Sequence, residues 1–283
     1  MLVNMKDMLA DAAKGGYAVG GFNCASLESA MAAVRASEEL NMPFILQHAP
    51  VHNQYIPLSV AAPIMLHLAR TAKTPIAVHL DHGGSVEECL KALAMGFTSV
   101  MFDGSALPYA ENIAQTALVV KAAHALGATV EAELGSMPHN FKGELGEYTP
   151  EDFYTRPEEA AEFAEKTGVD AMAISFGTVH GIYKTTPKLS LDVITRVREA
   201  TGGLALVMHG GSGLTNDDYF NAIDCGIRKV NYYTYGALAG GRGVYDIVKE
   251  IPQGLQFHDV AVRATQAMAD DVAKVMRILG RKI

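Results

Sequence analysis

The chain has 283 residues, 49% of them hydrophobic and 19% charged, with a net charge of −8. That balance supports a large core and excludes a disordered or coiled-coil chain. Scattered lysines and arginines in an acidic chain exclude a nucleic-acid footprint, and no apolar run reaches membrane-spanning length.

Met1 to Leu9 carries Lys6 and Asp7 in a short amphipathic stretch with no cleavage-site pattern, so no signal peptide is expected. Downstream, short apolar runs alternate with segments of helical period. Strands are expected at 17–23, 43–49, 75–81, 99–103, 129–134, 171–176, 204–209 and 228–231. Helices are expected at 27–40, 57–73, 85–96, 109–127, 157–168, 190–201, 215–225 and 237–250. Ser26, Ser85, Pro157 and Thr215 stand where helices should start, and Gly96, Gly127, Gly168 and Gly226 where they should stop. Strands apolar on both faces and alternating with helices predict a parallel sheet. Eight such units in this length predict an α/β fold of the (β/α)8 TIM barrel type, one domain over 1–283. Two stretches fall outside the alternation: a polar insertion at 136–156 and an additional C-terminal helix near 258–278. Cys24, Cys89 and Cys225 are odd in number and widely spaced, which reads as buried thiols in a reducing, cytoplasmic setting.

The polar residues of these strands gather at their C-terminal ends: Asn23, His79, Asp81, His82, Asp103, Glu131, Glu133, His180, His209 and Asn231. In a barrel those ends surround one mouth, where active sites sit. Of ten histidines, His82, His180 and His209 close the third, sixth and seventh strands. Three imidazoles converging there make a metal site with an open position, suited to zinc and also to cobalt, nickel or iron. As single residues they are equally ordinary strand ends. On a regular strand Asp81 and His82 point opposite ways, so Asp81 is read as a proton-transfer group beside the metal, with orientation of a ligand histidine as the alternative. His79, Asp103 and Glu133 are candidates for auxiliary ligation or support, and a structural role for Asp103 and Glu131 is equally open. His48 and His52 flank Pro50 after the second strand and are placed to meet substrate. The run His209-Gly210-Gly211-Ser212-Gly213 and the strand end Asn231-Tyr232-Tyr233-Thr234 both lead into helices, the usual phosphate position of a barrel.

These elements, GYAVGGFN (16–23), HLDHG (79–83), SVMFDGS (99–105), VEAELG (130–135), GTVHGIY (177–183), VMHGGSGL (207–214) and KVNYYT (229–234), resemble the class II fructose-bisphosphate and tagatose-bisphosphate aldolases over nearly the whole chain. The resemblance implies zinc on His82, His180 and His209, and proton exchange by Asp81. It implies a dihydroxyacetone phosphate site at Gly181, Gly210, Gly211, Ser212, Asn231 and Thr234, with Asn23 beside it. It also implies a monovalent cation, Na+ or K+, at Gly181, Gly210 and Ser212, a small-molecule sugar phosphate as substrate, and a homodimer or homotetramer. The sequence departs from the pattern in four places. The segment after VEAELG reads SMPHNFKGELGEY, with Glu144 and Glu147 as candidates for a second acid/base. Tyr232, Tyr233 and Tyr235 follow Asn231, Gln47-His48-Ala49-Pro50 replaces a Q-x-S, and the C-terminal arginine motif is shortened to Leu279-Gly280-Arg281. The departures fall on the distal-phosphate half of the site. A metal-dependent hydrolase on the same barrel, a non-catalytic sugar-phosphate-binding companion subunit and a Schiff-base aldolase are the competing readings.

Overall fold

A computed structural model of the chain describes residues 1–135 and 150–282. Eight parallel strands close in sequence order into a barrel: β1 Val19–Asn23, β2 Phe44–His48, β3 Ile76–Gly83, β4 Ser99–Phe102, β5 Thr129–Leu134, β6 Ala171–Ile174, β7 Ala205–Met208 and β8 Ile227–Tyr232. Ten helices are described: α1 Met5–Gly15, α2 Leu27–Leu40, α3 Leu58–Thr71, α4 Val86–Met95, α5 Tyr109–Ala125, α6 Pro157–Thr167, α7 Leu191–Ala200, α8 Asn216–Cys225, α9 Thr234–Glu250 and α10 Phe257–Leu279. The fold is the expected TIM barrel with an additional C-terminal helix, which lies along α9 and α2.

Local chemistry explains where the elements begin and end. At the start of α2 the Ser26 hydroxyl accepts from the Ser29 N–H, and the Ser29 hydroxyl accepts from the Ser26 N–H. Thr215 and Asp218 make the same reciprocal pair on α8, so two otherwise orphaned donors are satisfied at each helix end. β1, β2, β4, β5, β6 and β8 are buried at every position. Helices cover their outer face and side chains fill the barrel within.

The apolar stretch at the start of the chain is a full helix, α1. Its Met5, Met8, Leu9 and Ala12 are buried against Val19, Ile45, Ala77, Ala171, Ala173 and Val207 of β1, β2, β3, β6 and β7, and the preceding Leu2 pairs with Ile76, the first residue of β3. α1 therefore plugs the N-terminal end of the barrel and leaves only the opposite mouth open. Two boundaries differ from expectation and bear on the site. β3 continues to Gly83, and β6 stops at Ile174, so His180 stands in the segment leading to α7 rather than at a strand end. Glu144 and Glu147 lie outside the described residues.

Candidate active site

The mouth is built first by an irregularity in β3. Its pairing with β4 slips between Leu80 and Gly83, and His82 has φ of 51°, in the left-handed region. A regular strand would point Asp81 and His82 to opposite faces; the bulge lets both line the same cavity. Such a backbone costs a non-glycine residue ~1–3 kcal/mol and persists where its surroundings hold it. Here His82 Nδ1 donates to Asp103 Oδ2 at 2.8 Å. Asp103 is fixed in turn by the Ser105 N–H at 3.1 Å and hydroxyl at 2.7 Å on its other oxygen. With Nδ1 engaged, Nε2 of His82 is free to face an ion.

His82, His180 and His209 each offer a ring nitrogen, and these atoms lie within 4.8 Å of one another. The ring centroids are 4.6 Å apart for His82 and His209, 5.2 Å for His82 and His180, and 5.7 Å for His180 and His209. His209 is fully buried; its Nε2 is 3.0 Å from Glu131 Oε1, while its Nδ1 has no hydrogen-bond partner. A buried imidazole nitrogen left in this state is unusual unless a ligand completes it. This donor set fits a borderline-soft divalent ion. Burial pushes Glu133 up to about 8, with Asp103, Glu131 and Asp81 adding to the effect against His82. Its Oε2 lies 3.5 Å from His209 Nδ1 and 3.8 Å from His82 Nδ1, so Glu133 borders the same space, and with His82 and Asp103 it forms a second metal-type group.

Beneath these groups runs a buried polar chain. Lys229 Nζ donates to Glu131 Oε2 at 2.6 Å and approaches His79 Nε2 at 3.4 Å; His79 Nδ1 lies 2.7 Å from Ser99 Oγ. Burial opposes the charged form of Glu131, but Lys229 and His209 outweigh it and hold the carboxyl down at about 2. An ionised Glu131 can only accept, so His209 must donate from Nε2, which leaves Nδ1 as its open nitrogen. His79 thus supports the site from below instead of reaching the mouth. Lys229 and Glu131 as an orienting pair were not legible in sequence; the available signal was a lysine inside the apolar strand run KVN.

Asp81 is held by three side-chain amides. Asn23 Nδ2 and Gln47 Nε2 donate to Oδ2 at 3.0 and 3.2 Å, and Asn231 Nδ2 donates to Oδ1 at 2.9 Å. Burial works against its charge, but His82, Lys229, His209 and His79 keep it well below the usual carboxylate range. A side chain at Gly21 would collide with Gln47 Oε1 and approach Asn231 Oδ1 at 3.0 Å, so glycine is needed there to let the two amides meet Asp81.

A cavity of about 570 Å³ joins these parts. Asn23, Asp81, His82, Asp103, Glu133, His180, Gly181, Gly210, Ser212, Asn231 and Thr234 all line it. Gly211 does not; its N–H donates to the Asn231 carbonyl at 3.0 Å and ties the two candidate phosphate loops together. Gly210 has φ of 65°, and a side chain on it would strike the Val179 carbonyl, so the β7–α8 turn closes against the His180 segment. Tyr183 secures that closure, its hydroxyl donating to the Gly210 carbonyl at 2.8 Å and accepting from the Val179 N–H at 3.2 Å. Thr234 begins the 17-residue α9, so a helix N-terminus faces the cavity. Of the tyrosines after Asn231, Tyr232 donates to Asp271 Oδ2 on α10 and Tyr235 covers Gly213, while Tyr233 stands at the mouth against His52, ring centroids 4.7 Å apart.

Closed barrel, clustered imidazoles and amide-bound carboxylate agree with the family match: the model of fructose-bisphosphate aldolase class-II covers residues 3–282, and the chain belongs to this family of metal-dependent carbon–carbon lyases. Particular relatives are similar along most of their length. The fructose-bisphosphate aldolase of Staphylococcus aureus (strain N315) is 41% identical over 253 residues, 87% of this chain and 86% of that one. The probable fructose-bisphosphate aldolase of Bacillus subtilis (strain 168) is 37% identical over 99% of this chain and 98% of its own. Among solved structures, the YdjI aldolase from Escherichia coli K12 superposes with a TM-score of 0.87 at 32% identity, covering 99% of this chain and 98% of that one.

Proposed function

We propose that the chain, acting as one domain, is a zinc-dependent aldolase that cleaves and forms a ketose (bis)phosphate, fructose or tagatose 1,6-bisphosphate being the family default, with dihydroxyacetone phosphate as one product. The observation that carries the reading is the meeting of three imidazole donors within 4.8 Å, one of them a buried Nδ1 without a partner, beside an amide-held carboxylate. His82, His180 and His209 would hold the ion. When bound, a divalent ion there supplies Lewis acidity toward charge developing on the three-carbon fragment.

The chain's own groups do the rest. In cleavage Asp81 takes the proton from the hydroxyl on the carbon that becomes the aldehyde, and the carbon–carbon bond breaks toward the three-carbon fragment. Its carboxylate is ionised and can therefore accept a proton, and its three amide donors aim it. Asn231 lies where its side chain can also meet the fragment. The loops at Gly181, Gly210, Ser212 and Thr234 orient the phosphate through backbone N–H groups, with Gly211 bracing them, and turn the encounter into a positioned unimolecular step. Carbonyls of the same loops suit a monovalent cation, Na+ or K+. Lys229, enclosed and ion-paired with Glu131, argues against a Schiff-base route. The test is release of dihydroxyacetone phosphate from a panel of ketose phosphates, with turnover abolished by a chelator and restored by zinc. No turnover of any member by metal-loaded protein overturns the reading.

A further inference from the structure

Resting on the aldolase reading, we infer that Tyr219 is a positioning residue for the phosphate of the three-carbon fragment: its hydroxyl holds the peptide between Gly211 and Ser212 in the orientation that turns the Ser212 N–H away from α8 and toward the cavity.

The β7–α8 turn has little to hold its shape from within. Gly210, Gly211 and Gly213 lack the side chains that restrict a backbone, and Gly210 and Gly213 stand at φ of 65° and 93°. Its peptide units are gripped from outside instead. The unit between Gly210 and Gly211 is held at both ends: its carbonyl accepts from the Tyr183 hydroxyl at 2.8 Å, and its N–H donates to the Asn231 carbonyl at 3.0 Å. The next unit, between Gly211 and Ser212, is held at one end. Its carbonyl, on Gly211, accepts from the Tyr219 hydroxyl. Its N–H, on Ser212, has no hydrogen-bond partner among the described residues, although Ser212 is only 4% exposed and lines the cavity. Buried backbone donors are rarely left so, and one at a cavity wall is suited to an anion. In a planar trans peptide the C=O and N–H point opposite ways, so the group that fixes the Gly211 carbonyl also aims the Ser212 N–H.

Tyr219 is placed for this by the helix that carries it. It stands in the first turn of α8, where side chains lean toward the N-terminus, and its phenol reaches back to Gly211. The ring is buried in the apolar core, outside the cavity lining, so it acts on substrate through the turn rather than by contact. Burial pushes the Tyr183 phenol up to about 12 and raises Tyr219 as well, with Tyr183 beside it, so both keep the protons they donate. The Ser212 hydroxyl accepts from the Tyr233 N–H at 3.2 Å, which ties the same residue to the segment leaving β8. A glycine turn fixed in this way before the anion arrives loses less freedom on binding.

Two mimics of the fragment separate this role from a purely structural one: glycolohydroxamate and its phosphate ester, phosphoglycolohydroxamate, each titrated calorimetrically into zinc-loaded protein. The unsubstituted protein should bind the phosphorylated mimic more tightly. Tyr219→Phe keeps the packed ring and loses the hydroxyl. Its affinity for the phosphorylated mimic should fall about ten-fold or more, the size of one hydrogen bond to a charged group, while that for the unphosphorylated mimic stays within about two-fold. Unchanged binding of the phosphorylated mimic, or equal weakening of both, overturns the role of Tyr219 and leaves the aldolase reading in place. No gain from the phosphate in the unsubstituted protein overturns both. Amide hydrogen exchange on the unsubstituted protein needs no variant to fold: the phosphorylated mimic should slow the Ser212 N–H about ten-fold more than the other does. Equal protection by the two overturns the direction assigned to that N–H.

Discussion

Charge and direction of single groups decide the chemistry at this mouth. Asp81 stands at the cavity wall, outside the apolar core, and is gripped by three side-chain amides. Asp81→Ala should therefore keep its metal while cleavage falls about 10²–10⁴-fold, the range of a lost acid/base group. His209→Ala should instead lose metal; elemental analysis beside a turnover assay separates the two. Lys229 acts at one remove. Lys229→Met leaves Glu131 buried without its cation, which should cost about 3–5 kcal/mol of stability in denaturant titration. It should also weaken metal binding about 10–100-fold as the hold on the His209 tautomer loosens. Removing both charges, in Lys229→Met with Glu131→Gln, should return most of the stability without restoring full affinity, because an amide orients the ring less firmly than a carboxylate.

At the scale of elements, the site depends on two departures from regular strands. β3 carries His82 at φ 51° across a slipped register, and β1 carries glycine where β2 and β8 send amides inward. Gly21→Ala inserts a methyl group into the space of Gln47 Oε1. The prediction is a folded protein with metal bound and cleavage reduced about ten-fold or more, since a small misplacement of Asp81 is enough; circular dichroism and metal content check the first part and kcat the second. The helical starts at Ser26 and Thr215 were legible because capping is local chemistry, written within four residues. The β3 bulge was not, because a left-handed histidine is disfavoured on its own and is held by Asp103 and Ser105 from the loop after the next strand. For the same reason His180, read as a strand end, belongs to a loop braced by Tyr183.

The whole molecule is a tube closed at one end, and the plug belongs to its stability as much as the strands do. Leu9 on α1 is 2% exposed inside the barrel floor. Leu9→Ala should cost about 2–5 kcal/mol, measured by thermal or denaturant unfolding, with kcat little changed because the cavity opens at the other end. Amphipathic period at the start of the chain was visible, but that the helix turns under the barrel depends on residues of five strands, β1, β2, β3, β6 and β7, meeting its apolar face. Eight alternating units, the helix caps, the family motifs and the set of histidines were all determined by the sequence alone, because each rests on short-range pattern or on residue identity. Only the closed barrel decided that Asp81 and His82 share one cavity, that Lys229 and Glu131 set the face of His209, and that His180, from the segment before α7, meets His82 and His209. Those are contacts between residues tens to hundreds of positions apart, and their direction is set by strand register, which no local pattern encodes.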